Sequence, residues 1–365
     1  MRILISYFFD DDYIPAGFSL ADGFAANGWE VVCFDSAKEH LLWRYGAKPL
    51  RGLVKGLGLW ERASDSRYGR RGYKTGRILN AIARSKPDVV LAIRGHEFLR
   101  ASDIDQMKRE FGVKVVAGWS VGGPNVKFDL DCEADMYDLY YSIHKVGSES
   151  AHVRRLPLVG VDSSRYFRFN SSFANRSERA VLVSGWNPRR DLWVDGLTRA
   201  RVSVYGDWRK ATAADAPFWA RLHKDGAWGK HLLEVYNRAM IGLNIQGWDP
   251  RVDPCCNLRV MDITACGALL LSEHSDELAE YYSLGIEAES FFDPREMLDK
   301  IRYYDKRWIK ASRMAQKGYE KSRRLPTYAD RARQIIRDTE DILRKGRGYR
   351  AIASLHEAAG LKSSR

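Results

Sequence analysis

A chain of 365 residues with 45% hydrophobic content has room for two domains, each with its own core, and no stretch approaches the roughly eighteen apolar residues of a membrane-spanning helix. Its five cysteines form no C-x-x-C pair, so neither a zinc site nor a disulfide framework is suggested, and a strand-like start at Met1-Arg2-Ile3 points to the cytoplasm. A net charge of +12 concentrates anions, which leaves phosphorylated sugars, anionic lipid surfaces and nucleic acid as partners.

In chain order, Ile3 to Tyr7 reads as a strand, Leu20 to Ala26 as a helix and Glu30 to Phe34 as a second strand. A right-handed crossover through that helix makes the strands parallel. The loop Asp10 to Gly17 leaves the carboxyl end of the first strand, where open α/β sheets bind ligands, and Pro15-Ala16-Gly17 is either a plain loop or a close backbone approach. From Trp43 to Arg77, ten basic residues face only Glu61 and Asp65, with Trp43, Tyr45, Trp60, Tyr68 and Tyr73 interleaved. That stretch is either a solvated insertion or a surface for peripheral docking at the inner membrane face or on an anionic acceptor.

A helix over Thr75 to Arg84 leads to the buried strand Pro87 to Ile93, and Arg94-Gly95-His96-Glu97 follows at its carboxyl end. The helix Asp103 to Glu110, the strand Lys114 to Gly118, a Gly122-Gly123-Pro124 loop and the strand Tyr137 to Ile143 continue the alternation. Residues 1–162 therefore form a first doubly wound domain, and the polar stretch 163–178 a linker.

A second alternation begins at Ala180 to Gly185, where Trp186-Asn187-Pro188-Arg189-Arg190 opens a helix. The strand Val202 to Gly206, an irregular connection containing tryptophan, the helix Leu232 to Met240 and the strand Ile241 to Ile245 come next. Asn257 to Glu273 then gives a helix, a tight turn at Cys266-Gly267 and the strand Leu269 to Leu271. A second domain spans 179–325, and residues 326–365 continue as helix, with a poorly anchored tail from Gly346.

Arg189 and Arg190 after the turn at Gly185, and Arg259 with Asn257, each stand where a helix opens. Fixed guanidinium groups and helix starts neutralise the charge of a departing nucleoside diphosphate without a metal. Spaced carboxylates at Asp10-Asp11-Asp12 or Asp129-Leu130-Asp131 are the competing, metal-dependent arrangement. Asp262 lies one helical turn beyond Arg259, placed either to accept from ribose hydroxyls or to pair with that arginine. His96 and Glu97 are the groups able to take a proton from an acceptor hydroxyl.

Several segments then carry a likeness in order over about residues 85 to 340: Pro87-Asp88-Val89-Val90, Leu156-Pro157 with Val161-Asp162, Val183-Ser184-Gly185, Val204-Tyr205-Gly206 and Tyr236 to Ile245. The most diagnostic is Asn257-x-Arg259-x-x-Asp262-x-x-Ala265-Cys266-Gly267-Ala268. Together they resemble a GT-B glycosyltransferase of the CgeB-like, spore-maturation-protein-like group within the glycosyltransferase-4-like enzymes. The resemblance implies two Rossmann-like domains facing across a cleft, the C-terminal one binding a nucleotide sugar, a UDP-sugar first, and the N-terminal one binding the acceptor. It implies a final helix crossing back and no cofactor or metal, with Gly185, Asn187, Arg189, Arg190, Asn257, Arg259, Asp262 and Gly267 on the donor side and Glu97 or His96 near the acceptor. Asp262 stands where the family usually has a glutamate expected on the ribose. Hexose transfer to a glycan, lipid-linked or other anionic acceptor, most simply a cell-surface glycan precursor, is the leading expectation. Glycosylation of modified DNA bases suits the charge as well, and a non-catalytic sugar-nucleotide or glycan-binding protein is the reading from a different class.

Overall fold

The computed structural model describes the chain apart from residues 11–13, 123–132, 146–152, 171, 195–196, 198–199, 209–222, 225 and 359–365 and the side chains of 194, 223–224 and 346–358. Asp11 and Asp12, Asp129 and Asp131, Gly123-Pro124 and Cys132 therefore lie outside the described residues.

The first half builds a parallel six-stranded sheet from β1 (Arg2–Tyr7), β2 (Glu30–Asp35), β3 (Val89–Ile93), β4 (Val115–Ser120), β5 (Leu139–Ser142) and β6 (Val153–Arg155), in the order β2-β1-β3-β4-β5-β6. All five residues of β3 are buried, as an apolar run covered on both faces requires. Its helices are α1 (Ala16–Ala26), α2 (Arg51–Gly56), α3 (Trp60–Asp65), α4 (Arg70–Ser85) and α5 (Ala101–Arg109). The basic stretch is thus mostly helical, and α4 starts five residues before the predicted Thr75. β6 was not predicted, because Val153-Arg154-Arg155 has no apolar run to mark it.

The second half repeats the plan with β7 (Glu178–Val183), α6 (Pro188–Val194), β8 (Val202–Tyr205), β9 (His223–Lys224), α7 (Gly229–Arg238), β10 (Ala239–Asn244), α8 (Arg259–Ala265), β11 (Leu269–Glu273), α9 (Asp276–Tyr281) and β12 (Glu289–Phe291). Its strand order, β12-β11-β10-β7-β8-β9, is the Rossmann order, and the direction of winding reverses between β7 and β10. Ala239 and Met240, expected to be helical, begin β10 instead, because a fully buried apolar strand has no polar alternation to phase it against a helix. The predicted helix at Asn257 begins at Arg259, and Asn257 precedes it.

Three helices close the chain: α10 (Pro294–Lys306), α11 (Trp308–Ser322) and α12 (Tyr328–Ala358). α12 returns to the first half, where Tyr328, Ala332 and Ile335 join the core of Ile3, Ile5 and Phe24. Gly23 of α1 permits this approach, since a Cβ there would stand 2.5 Å from the Tyr328 carbonyl oxygen. The Asn27 amide donates to the Ala329 carbonyl at 3.0 Å, and the Tyr141 hydroxyl to Asp338 at 2.8 Å. Between the halves, the fully buried Asn237 holds the connecting segment: its amide donates to the carbonyls of Phe167 and Leu233, and its oxygen accepts from the N–H groups of Phe169 and Asn170.

Candidate functional site

The carboxyl ends of β7 and β10 part at the reversal of winding, and a cavity of about 230 Å³ opens there. Ser184 and Gly185 line it from the end of β7, Asn244 and Ile245 from the end of β10, and Asn257, Arg259 and Asp262 from the start of α8. The first half closes the other side with the entry to α1, Ile14 to Ala16 and Ser19, while Asp162, Tyr166 and Tyr328 come from the connection and α12. The cavity therefore lies between the two sheets and is lined by both halves.

Two guanidinium groups dominate its chemistry. Arg190 is fixed by donating to the carbonyls of Ile245 at 3.0 Å and Gly185 at 3.1 Å, and among the described residues it has no carboxylate partner. Burial, with Arg259 and Arg189 close by, pulls its pKa down to about 10. Lost hydration and like-charge neighbours both disfavour its charged form, and both are relieved by an anion. Arg259 packs 5.1 Å over the Trp228 ring, and its guanidinium stands 3.4 Å from the Asp262 carboxylate. Burial pushes the Asp262 carboxyl up to about 7 despite Arg259, so near neutrality it compensates that arginine only in part. Among the described residues the Ser184 hydroxyl, which is on a lining residue, and the Tyr236 hydroxyl are buried without a hydrogen-bond partner. Such groups are rare in folded proteins unless a ligand or water completes them.

Asn257 acts on the site by building it. Its amide donates to Asn244 at 2.8 Å and Gln246 at 2.9 Å, and its oxygen accepts the Arg259 backbone N–H at 3.0 Å. Because that N–H at the start of α8 is already engaged, the capacity for an anion rests on the guanidinium groups.

Of the residues singled out from sequence, Gly185, Arg190, Asn257, Arg259 and Asp262 meet on this cavity, and five others do not. Arg189 turns away to pair with Glu273, donating at 2.9 Å through one nitrogen and more closely through the other. Asn187 accepts the Arg189 backbone N–H at 2.9 Å and donates to the Gly247 carbonyl, which orders the start of α6. Gly267 ends α8 with φ +72°, a left-handed conformation that favours glycine, and a Cβ there would come 2.5 Å from the Arg168 side chain. Glu97, at the carboxyl end of β3, is held by Arg70 at 2.6 Å and Arg94 at 2.5 Å. The His96 backbone N–H donates to Glu133 at 3.0 Å. The sequence reading left out Ser19, Tyr166, Trp228 and Tyr328. Pro15-Ala16-Gly17, weighed there as a loop, was the one signal toward the α1 side.

A second contact joins the halves beside the cleft. His144, beyond β5, lies between Asp253 and the Gly122 carbonyl, one oxygen at each ring nitrogen. Among the described residues His144, Asp253 and Cys255 are the grouping with metal-ligand spacing, their ligand atoms lying within 4.8 Å of one another. Burial works against the charged ring, but the Asp253 carboxylate and the Gly122 carbonyl outweigh it and raise the His144 pKa. The buried contact ties one half to the other.

A family model described as "Glycosyl transferase-like" matches residues 189–337, which cover α6, α8 and the start of α12. No curated protein sequence matches the chain. Among solved structures, sucrose-phosphate synthase from Thermosynechococcus elongatus aligns with TM-score 0.61 at 14% identity, covering 97% of this chain and 100% of its own. The Anabaena protein HepE in complex with UDP-glucose aligns with TM-score 0.63 at 10% identity, covering 93% of this chain and 100% of its own. An alpha-glucosyltransferase in complex with UDP and a 13-mer DNA aligns with TM-score 0.61 at 11% identity, again covering 93% and 100%. The chain has the GT-B fold, two Rossmann-like domains with a cleft between them, and its C-terminal half is glycosyl transferase-like.

Proposed function

We propose that the protein is a glycosyltransferase that moves a hexose from a nucleoside-diphosphate sugar, a UDP-sugar first, to a hydroxyl acceptor. The observation that carries this reading is the pair Arg190 and Arg259 on one interdomain cavity, where of the two lining carboxylates Asp262 is partly neutral and Asp162 is engaged by Arg165 at 3.1 Å. In the reaction the acceptor oxygen bonds to the anomeric carbon, the bond from that carbon to the phosphate oxygen breaks, and the hydroxyl proton leaves to a diphosphate oxygen or to water. Negative charge grows on the departing diphosphate, and fixed guanidinium groups in a site shielded from water stabilise it. They supply what a divalent cation would, so turnover is expected to persist in a chelator.

The cavity is smaller than the roughly 300–1,000 Å³ of ordinary ligand sites. It suits the diphosphate itself, with nucleoside and sugar extending along the cleft. Asn257 keeps Arg259 in place through its contact with that residue's N–H, and Asp262 sets how much of the arginine's charge is available. We assign the donor to residues 179–325, the acceptor to 1–162, the linker to 163–178 and the bracing helix to 326–365. His96 and Glu97 belong on this division to the acceptor half, where either would sit near the acceptor hydroxyl, and Glu97 is held in place by Arg70 and Arg94. A glycan precursor is the acceptor this reading favours.

The test is to incubate the protein with a panel of nucleoside-diphosphate hexoses, with and without chelator, and to follow donor loss and release of nucleoside diphosphate. Slow hydrolysis of one donor, reduced roughly 100- to 1,000-fold in Arg259→Ala, is the expected result. A donor that binds and stays intact with every acceptor offered would leave a sugar-nucleotide-binding protein instead.

A further inference from the structure

The segment between β2 and α4 carries apolar side chains that the fold does not use. Its inner side is anchored: Trp43 is buried with its ring 4.8 Å from Trp60, His40 contacts Tyr68 and Tyr73, and Asp65 pairs with Arg71 at 2.8 Å and Arg100 at 2.5 Å. The outer side is uncovered. Leu41, Leu42 and Tyr45 lie before α2, and Leu50, Leu53, Leu57 and Leu59 lie on and beside it, each between 47% and 69% exposed.

Leu50, Leu53 and Leu57 recur at helical spacing and so share one face of α2, while Arg51 and Lys55 lie on the opposite, polar side. Among the described residues Arg44, Arg51, Lys55 and Arg62 have no carboxylate partner, and the only acid paired with Lys48 is Glu39. Exposed leucines stand to gain only by entering an apolar phase, whereas the unpaired cations call for anions at the same level.

We propose that this helical segment, residues 41–62, docks the protein on a membrane surface that carries anionic lipid, with the leucines in the acyl boundary and the cations among the head groups. Both features have a use there and nowhere else considered. Nucleic acid would satisfy the cations but leave the leucines in water. A second copy meeting this face with the same face would cover leucines but leave Arg44, Arg51 and Lys55 without anions. No helix among the described residues is long and apolar enough to cross a membrane, so the contact lies on the surface rather than through it. Because this deepens the acceptor side of the function proposed above and rests on it, docking would hold the cleft next to a lipid-linked or membrane-bound acceptor.

Co-sedimentation of the full chain with vesicles tests the inference, comparing phosphatidylcholine alone with a mixture containing about one-third phosphatidylglycerol. The variant Leu50→Gln/Leu53→Gln/Leu57→Gln changes only exposed side chains, so its fold is retained. Wild type is expected to pellet with the anionic vesicles alone, and the triple variant to bind them roughly tenfold or more weakly while UDP-glucose binding is unchanged. The inference falls if wild type stays in the supernatant, if the triple variant binds as well as wild type, or if duplex DNA abolishes vesicle binding. It also falls if wild type is a dimer that the triple variant dissociates. Vesicle binding without binding of any nucleotide sugar would overturn the reading of the cleft and leave the docking surface intact.

Discussion

Asp262 is where the chemistry of the cleft depends most on a single proton. With burial raising its carboxyl to about 7, it is largely neutral below that pH, and Arg259 then presents a full positive charge to the cavity. Above it the ionised carboxylate 3.4 Å away offsets that charge and repels a diphosphate. The diphosphate of a nucleotide sugar carries no titrating group in this range, so any change in its affinity reports on the protein. Affinity for UDP-glucose is expected to rise severalfold as pH falls from 8 to 6. In Asp262→Asn the profile should be flat over that range and sit at or above the wild-type low-pH value. A profile of unchanged steepness in the variant would place the titration elsewhere. The same pair explains why Arg259→Ala should fold: the acid left behind is already close to neutral and need not carry an unpaired buried charge.

At the level of elements, the second half depends on how α7 hands over to β10. Asn237 closes α7 and donates and accepts with four backbone groups, three of them on the connecting segment, the Phe167 carbonyl and the two N–H groups of Phe169 and Asn170. Asn237→Ala leaves those two N–H groups without their partner and is expected to destabilise the fold by about 2–4 kcal/mol, read as a lowered urea midpoint. A loss below about 0.5 kcal/mol would mean that water or a shift of the segment replaces the contacts. The strands were legible in the sequence because Val89 to Ile93 and Leu269 to Leu271 are continuous apolar runs, and a run of that length is a buried strand. Their ends at α7 were not, because Ala239 and Met240 are equally apolar in a helix or a strand. The cavity was half legible by the same logic. Arg190 and Arg259 stand in sequence just past a strand or loop, which marks the ligand edge of an α/β sheet. Arg189 is adjacent to Arg190 in the chain, yet it points to Glu273, and no spacing rule separates the two. Gly267 carries a family-like pattern, but its φ of +72° shows a helix-ending role. Ser19, Trp228 and Tyr328 reach the cavity only because distant segments fold onto it.

Across the whole molecule, the cavity lies where α12 carries the chain back onto α1 and so holds the two halves together. Tyr328 belongs to both structures at once, packed in the first core and lining the cleft. The buried pair His144–Asp253 adds a second tie between the halves, and the uncovered leucines beside α2 belong to the first half. The central claim is that this cleft recognises a diphosphate through two half-buried arginines. Calorimetric titration of UDP-glucose, UDP and uridine into wild type, Arg190→Ala and Arg259→Ala tests it most directly. Wild type is predicted to bind the two diphosphates and not uridine, and each substitution to weaken them roughly 10- to 100-fold, the worth of charge-assisted hydrogen bonds to one guanidinium. Equal affinity in all three proteins, or binding of uridine as tight as that of UDP, would contradict the account.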